Sequence, residues 1–472
     1  MPDRTDTQAS AADGGPSGTR AWLERLWAGI ADRGRAYADV PAATLPPLER
    51  AQRLAHALLS ERGEASGAAV ARDLHDSIDA LAGEDRLFFF RFVAEAFAPD
   101  PDRLRKAAEA WLAAPDLGHA QALADAAEPP RQELLRRLNM APGGTAQLVA
   151  LREELLGLLK VEPTLRILDA DLRHLLGSWF NRGFLELRRI DWQTPAAVLE
   201  KLIRYEAVHA IQGWADLRRR LESDRRCFAF FHPALPGEPL IFVEVALVRG
   251  MADAIAPLLA HDEAPGRAAD ADTAIFYSIS NCQEGLRGIS FGNFLIKQVV
   301  EELKAELPQL VRFATLSPVP GFRRWVERRV AAAEEPPLPS TEGDWWDDPA
   351  RRDALKPVLM RLAAVYLTRP NASGTAMDPV ARFHLGNGAR LERINWLGNS
   401  SARGMRESYG LMVNYLYDRD AIEANHEAFV RSGQVVRAAG VDALLAEPAP
   451  PPSRRRLARL LGSDDKTPAR HG

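Results

Sequence analysis

The sequence predicts an α+β multidomain chain: an N-terminal all-α helical bundle followed by an α/β domain on a mixed sheet. Three observations carry that expectation. Apolar residues recur at a helical period up to about residue 185. β-Branched runs bounded by turn residues begin near residue 225. From residue 273 a strand, a glycine-rich turn, a helix and a second strand follow in succession, which reads as a β-α-β unit. A chain of 472 residues is long enough for two or three such domains.

Residues 1–19 are polar and rich in Gly, Ser, Asp and Ala, and are expected to be disordered. Residues 20–185 form the helical domain, a scaffold or oligomer contact. Leu74, Ile78 and Leu81 share one helical face, as do Leu151, Leu155, Leu158 and Leu159. Pro46-Pro47, Pro99-Asp100-Pro101 and Pro129-Pro130 punctuate the helices. No repeat of fixed period appears, so a bundle is expected and a solenoid is not.

The second domain is expected over 186–446. Cys227 to Phe231 and Leu240 to Val248 flank a Pro- and Gly-containing turn and predict a β-hairpin. Thr273 to Ile279 predicts a strand, Phe294 to Leu307 a helix, and Arg312 to Leu316 a further strand. Residues 333–377, rich in Pro, Asp and Ala, read as an insertion with one helix, Asp353 to Leu367. A short helix near 378–388 and two strands follow. Residues 447–472 read as a disordered tail.

Net charge is −4, too weak to imply a nucleic-acid or membrane partner. No apolar run approaches the ~20 residues of a membrane helix. Two cysteines, Cys227 and Cys282, suit a reducing compartment and no disulfide framework. The first twenty residues contain acids and no apolar core, so a cytoplasmic location is expected. His384 and His426 are isolated, which predicts no metal site. The patterns for a P-loop, a dinucleotide fingerprint and an α/β-hydrolase elbow are all missing.

Three segments hold residues suited to chemistry. The turn Gln283-Glu284-Gly285-Leu286-Arg287-Gly288-Ile289-Ser290-Phe291-Gly292-Asn293 places three glycines between a strand and a helix. A helix start offers free N–H groups and the positive dipole end, so the turn is a phosphate site or a plain connection. Arg287 and Lys297 would add charge there. Cys282 adjoins this turn and is expected to be an inert thiol. In Ser317-Pro318-Val319-Pro320-Gly321, the residue before proline is pushed to extended geometry. Ser317 is then either a rigidly held hydroxyl or a helix N-cap. In Asp378-Pro379-Val380-Ala381-Arg382-Phe383-His384, the imidazole falls in the last helical turn. There the dipole favours imidazolium, which suits a proton donor and equally a simple cap.

The runs YEAVHAIQGW, PGEPLIFVEVAL, AIFYSISNCQEGLRGISFGNFLIK, LSPVPGF, ARFHLGNGA, RINWLGNSS and YGLMVNYLY together resemble the malonyl-CoA decarboxylase family over about 175–440. The resemblance implies a helical domain that assists oligomerisation and a catalytic domain similar to GCN5-related N-acetyltransferases. It implies Ser317 and His384 as the catalytic pair and Arg287 to Asn293 as the coenzyme A site. Gln283 and Gly285 belong to the same turn. Family members carry an acid where Ser290 stands, so no carboxylate role transfers to that position. The chain lacks the peroxisomal ending that eukaryotic relatives can carry. Malonyl-CoA and acetyl-CoA are the implied ligands, and a homo-oligomer, compatible with a tetramer, the implied assembly. The thioester carbonyl accepts the electrons released with CO2, so no cofactor is expected. The competing readings are a CoA-dependent N-acyltransferase and a non-catalytic malonyl-CoA sensor.

Overall fold

The computed structural model describes residues 29, 33, 44–60, 63–260, 264–289, 295–369 and 378–446. The expected disordered ends, 1–19 and 447–472, lie outside the described residues. The chain divides into two compact units, neither of them one continuous stretch. The first gathers residues up to 210 with 228–242 and 280–295; the second gathers 211–227, 243–279 and 296 onward.

The first unit carries α1 (Pro47–Ser60), α2 (Glu64–Asp79), α3 (Gly83–Ala96), α4 (Pro101–Ala113), α5 (Leu117–Ala127), α6 (Pro130–Leu138), α7 (Gly144–Leu158) and α8 (Arg166–Trp179). Strand β1 (Glu186–Ile190) and α9 (Ala196–Tyr205) follow. The prolines that punctuate the sequence begin helices: Pro47, Pro101 and Pro130 each open one. Proline is pre-set for that place because its missing N–H would have no helical partner anyway. Asp100 completes the signal, its carboxylate accepting from the Asp102 and Arg103 N–H groups. Leu74, Ile78, Leu81, Leu151 and Leu155 enter one core with Leu54, Leu58, Phe89, Phe90, Leu134 and Leu172. Leu158 and Leu159 pack on its margin. Buried Arg131 pairs with Asp171 and ties α6 to α8.

The remaining elements are α10 (Trp214–Arg220), β2 (Arg225–Phe231), β3 (Pro239–Val248), α11 (Ala256–Leu259), β4 (Thr273–Asn281), α12 (Leu295–Glu306), β5 (Arg312–Thr315), β6 (Ser317–Pro318), α13 (Phe322–Ala331), α14 (Pro349–Thr368), α15 (Pro379–Gly386), β7 (Arg390–Asn395), α16 (Ala402–Ser408), β8 (Met412–Leu416), α17 (Ile422–Ser432) and α18 (Ala439–Leu445). The sheet has the order β1-β2-β3-β4-β5-β8-β6, with β7 paired to β8. β4 and β5 are parallel, in the register Thr273↔Arg312. β8 is antiparallel to β5, β6 and β7, so the sheet is mixed.

β4 and β5 are buried along most of their length, small polar residues included, so both faces of this part of the sheet are covered. Ala246, Ile275, Tyr277, Ala314, Leu316 and Met412 form a core cluster on this sheet. Within the 333–377 stretch, α14 buries Leu355, Leu359 and Leu362 completely. It is therefore a structural wall of the second unit.

Candidate active site

Ser317 is held by the sheet. The chain leaves β5 at Thr315 and re-pairs at once, with Ser317 opposite Val413 and Pro318 opposite Met412. Ser317 is thus extended, and the alternative of a helix N-cap is excluded. Helix α13 starts only after Gly321, which sits at φ 89° and caps it without a side chain.

His384 is held by α15. Asp378 caps this helix, its Oδ1 accepting from the Val380 and Ala381 N–H groups at 2.9 Å each. Pro379 occupies the first turn and Asn387 the C-cap. Gly388 follows at φ 82°, where a Cβ would meet the Ile422 carbonyl oxygen at 2.2 Å.

The two side chains meet. Ser317 Oγ lies 3.1 Å from His384 Nε2, across 67 positions of sequence. On the far side of the ring, Nδ1 lies 2.8 Å from Tyr417 Oη. Tyr415 stacks on the imidazole, with centroids 4.8 Å apart and an interplanar angle of 24°. Thr315 Oγ1 lies 2.8 Å from Ser317 Oγ and accepts the Tyr415 N–H at 3.1 Å. A groove of about 670 Å³ adjoins the turn after Ser317, lined by Pro320, Gly321, Arg324, Arg328, Tyr366 and Pro379 among others.

One expectation is corrected. The helix dipole was expected to favour imidazolium at His384, but the ring is completely enclosed. Burial pushes its pKa down to about 3, so the enclosed imidazole is neutral at pH 7. Removal from water outweighs a dipole worth about 0.3–1 kcal/mol at most exposed helix ends. Burial likewise raises the Tyr415 and Tyr417 phenols well above their ordinary value. Asp378 is raised to about 6, chiefly by burial and against the pull of its two N–H donors.

The glycine-rich turn divides into parts. Gly285 is buried, and a Cβ there would lie 1.9 Å from the Val149 carbonyl oxygen. Its carbonyl accepts from Arg152 at 2.6 Å. Gly285 therefore serves close packing against α7. Gly288 takes φ 79° with open space around it. Arg287 is exposed and pairs with Glu284 at 3.3 Å. Gln283 donates to the Pro239 carbonyl at 3.2 Å, and Ile289 is half-buried. Ser290, Phe291, Gly292 and Asn293 lie outside the described residues. Lys297 is engaged by Glu423 at 2.5 Å. Cys282 and Cys227 are buried and are not joined in a disulfide. Burial, with the Glu206 and Glu238 carboxylates, pushes the Cys282 thiol well up, as an inert thiol requires.

Sequence reasoning missed Thr315, Tyr415 and Tyr417. Period-2 geometry places Thr315 on the face of Ser317, which was a usable signal. Nothing in the sequence tied the two tyrosines to His384. Among the described residues no group of His, Cys, Asp or Glu is arranged to hold a metal. None of the described helices is long and apolar enough to cross a membrane.

A mixed sheet that brings a buried hydroxyl against an imidazole at a strand end defines the class, an α+β enzyme with a serine–histidine site. Comparison with known proteins gives the family. The model of the malonyl-CoA decarboxylase C-terminal domain matches residues 183–454, and that of the N-terminal domain matches 97–180. The chain belongs to the malonyl-CoA decarboxylase family of carboxy-lyases. It is similar to the crystal structure of malonyl-CoA decarboxylase from Rhodopseudomonas palustris, with 53% identity and a TM-score of 0.79 over 84% of this chain and 99% of that one. The Agrobacterium vitis structure gives 50% identity and a TM-score of 0.79 over 84% and 100%. The mitochondrial malonyl-CoA decarboxylase of the goose Anser anser anser is 39% identical over 64% of this chain and 66% of its own length.

Proposed function

We propose that this chain converts malonyl-CoA to acetyl-CoA and CO2 through a thioester enolate, with Ser317 contacting the malonyl group and His384 giving the proton. The observation that carries this reading is the 3.1 Å approach of Ser317 Oγ to His384 Nε2 inside a closed site.

The chemistry follows from charge. Losing CO2 leaves an electron pair that the thioester carbonyl accepts as an enolate, so we propose no cofactor. A neutral imidazole is a poor acid. The substrate's carboxylate brings a negative charge into the same closed space, which favours imidazolium there. Binding then draws in one proton, CO2 leaves, and His384 passes that proton to the former malonyl methylene. The sum is malonyl-CoA carboxylate plus one proton giving acetyl-CoA plus CO2. A positioned donor such as Ser317 is typically worth ~2.7–4 kcal/mol, and a general acid ~10²–10⁴-fold.

The turn from Gln283 to Asn293 is our assignment for the coenzyme A moiety, supported by the left-handed Gly288 and the helix α12 that follows. The groove beside Gly321 is lined by Arg324 and Arg328 together with Glu327, a lining with one net positive charge that is compatible with an anionic acyl end. The parallel β4–β5 pair and the antiparallel β8 agree with an acetyltransferase-like sheet. Assembly as a homo-oligomer, a tetramer among its forms, is supported by the α4–α5 hairpin. There Leu112 is 72% and Leu117 90% exposed, and α4 buries no residue. Two buried thiols that are not joined in a disulfide suit a reducing compartment such as the cytoplasm.

The test is to supply malonyl-CoA with no acceptor. Release of CO2 and acetyl-CoA, lost in Ser317→Ala and His384→Ala while CoA still binds, supports the proposal. Turnover that requires an amine points to an acyltransferase, and saturable binding without product to a sensor.

A further inference from the structure

Thr315, Ser317, His384 and Tyr417 form one hydrogen-bonded row with three links of 2.8, 3.1 and 2.8 Å. With a neutral imidazole the row holds four hydrogens, one on each hydroxyl and one on the ring. Three links use three, so one hydrogen is left over. It resides on Thr315, Tyr417 or Ser317.

The first two places are closed. Thr315 is 0% exposed, and its Oγ1 has no neighbour but the Tyr415 N–H and Ser317 Oγ among the described residues. Tyr417 is 1% exposed and its hydroxyl meets His384 alone among the described residues. A hydroxyl hydrogen without an acceptor in such a place costs about 1–3 kcal/mol. Ser317 opens β6, and the chain runs from it directly to Pro320 and Gly321 of the groove, so its spare hydrogen is the one we assign to a bound acyl group.

We propose that Thr315 is a positioning residue: the two hydroxyls lie 2.8 Å apart and can bond in either sense, and the hydrogen count makes Thr315 the donor to Ser317 Oγ, which turns the serine's own hydrogen toward the substrate. Ser317 Oγ then accepts twice, from Thr315 and from His384 Nε2–H, using both lone pairs. Its hydrogen is delivered to the carboxylate or enolate oxygen. While the ring is neutral, Tyr417 donates to Nδ1 and fixes the Nε2–H tautomer; once the bound carboxylate has drawn a proton onto the ring, Nδ1–H donates to Tyr417 instead, and the two bonds to Ser317 Oγ are kept. Without the Thr315 donor, the serine hydrogen is free to turn elsewhere as charge develops on the acyl group. This inference rests on the serine–histidine reading given above.

Two variants separate the hydroxyl from the packing of its methyl group. Thr315→Val keeps the branched shape and loses the hydroxyl, whereas Thr315→Ser keeps the hydroxyl and loses the methyl. With malonyl-CoA, kcat of Thr315→Val should fall about 10- to 100-fold with little change in KM, the cost typical of a misaligned catalytic group. Thr315→Ser should stay within about threefold of the parent kcat. Parent turnover in Thr315→Val, or an equal loss in both variants, overturns the proposal. The unmodified protein supplies a second reading that no folding failure removes. With ¹⁵N-labelled histidine, the His384 resonances, identified by their loss in His384→Ala, should report the Nε2–H tautomer; Nδ1–H overturns the proposal. If Ser317→Ala and His384→Ala abolish turnover while Thr315→Val does not, the inference fails and the serine–histidine reading stands.

Discussion

Tyr417 Oη stands 2.8 Å from Nδ1 of His384, on the side of the ring away from Ser317. The tyrosine anchors the ring edge while Tyr415 holds its face. Tyr417→Phe keeps the volume and removes only the hydroxyl. A net hydrogen bond is worth about 0.5–1.5 kcal/mol, so kcat should fall about 2- to 13-fold. KM should move less, because Tyr417 touches the imidazole and not the CoA handle. Steady-state kinetics on malonyl-CoA decide this, and an unchanged kcat removes the anchoring role.

Burial of His384 also shapes the dependence of stability on pH. Its folded pKa of about 3 lies below the unfolded value of 6.5. Between those values the unfolded chain binds more protons at this residue than the folded one. Stability therefore rises with pH across that window and is lost as pH falls below 6.5. His384→Gln has no such group. Its melting temperature should drop less than the parent's on acidification from pH 6.5 to 4.5. Parallel curves for the two proteins contradict a buried neutral imidazole.

Local signals in this chain were legible wherever one segment decided its own conformation. Asp378-Pro379 with Asn387-Gly388 delimits α15, and the helix spans Pro379–Gly386. Ser317-Pro318 predicts an extended serine, and it pairs as a strand. The helical leucines of the first unit were legible for the same reason. What stayed hidden depends on tertiary enclosure. The charge state of His384 was misjudged because a dipole is visible in sequence and complete burial is not. The role of Gly285 was obscured because its close neighbour, Val149, lies far away along the chain on α7. The meeting of His384 with Tyr417 depends on how α15 packs against the end of β8.

Asp378 provides a stability prediction of opposite sign to that of His384. Its carboxyl is raised to about 6 from 3.8, so the folded state favours the protonated form. The stability this contributes is present below pH 3.8 and disappears as pH rises through 6. Asparagine caps a helix as well as aspartate and carries no charge to bury. Asp378→Asn should therefore match or exceed the parent's melting temperature at pH 7.5 and lose that advantage at pH 4.5. Asp378→Ala removes the cap and should cost about 1 kcal/mol at either pH. A lower melting temperature for Asp378→Asn at pH 7.5 goes against this account.

Gly285 distinguishes packing from ligand binding within the glycine-rich turn. An alanine methyl there would sit 1.9 Å from the Val149 carbonyl oxygen and 2.8 Å from its Cγ1. Backbone cannot move aside as a flexible side chain does, so α7 or the turn must shift. The Arg152 bond to the Gly285 carbonyl would shift with it. Overpacking of this kind typically costs about 1–3 kcal/mol. Gly285→Ala should lower the urea midpoint by a matching amount. Gly288→Ala has open space around its Cβ and pays only for a left-handed backbone at φ 79°, about 1–2 kcal/mol. The two variants differ in what the added methyl meets. If Gly285 serves packing against α7, the loss in Gly285→Ala should appear in denaturation of the ligand-free protein, before any CoA is added. An unaltered urea curve for ligand-free Gly285→Ala, with weakened CoA binding, overturns the packing role and makes Gly285 a ligand-contact position.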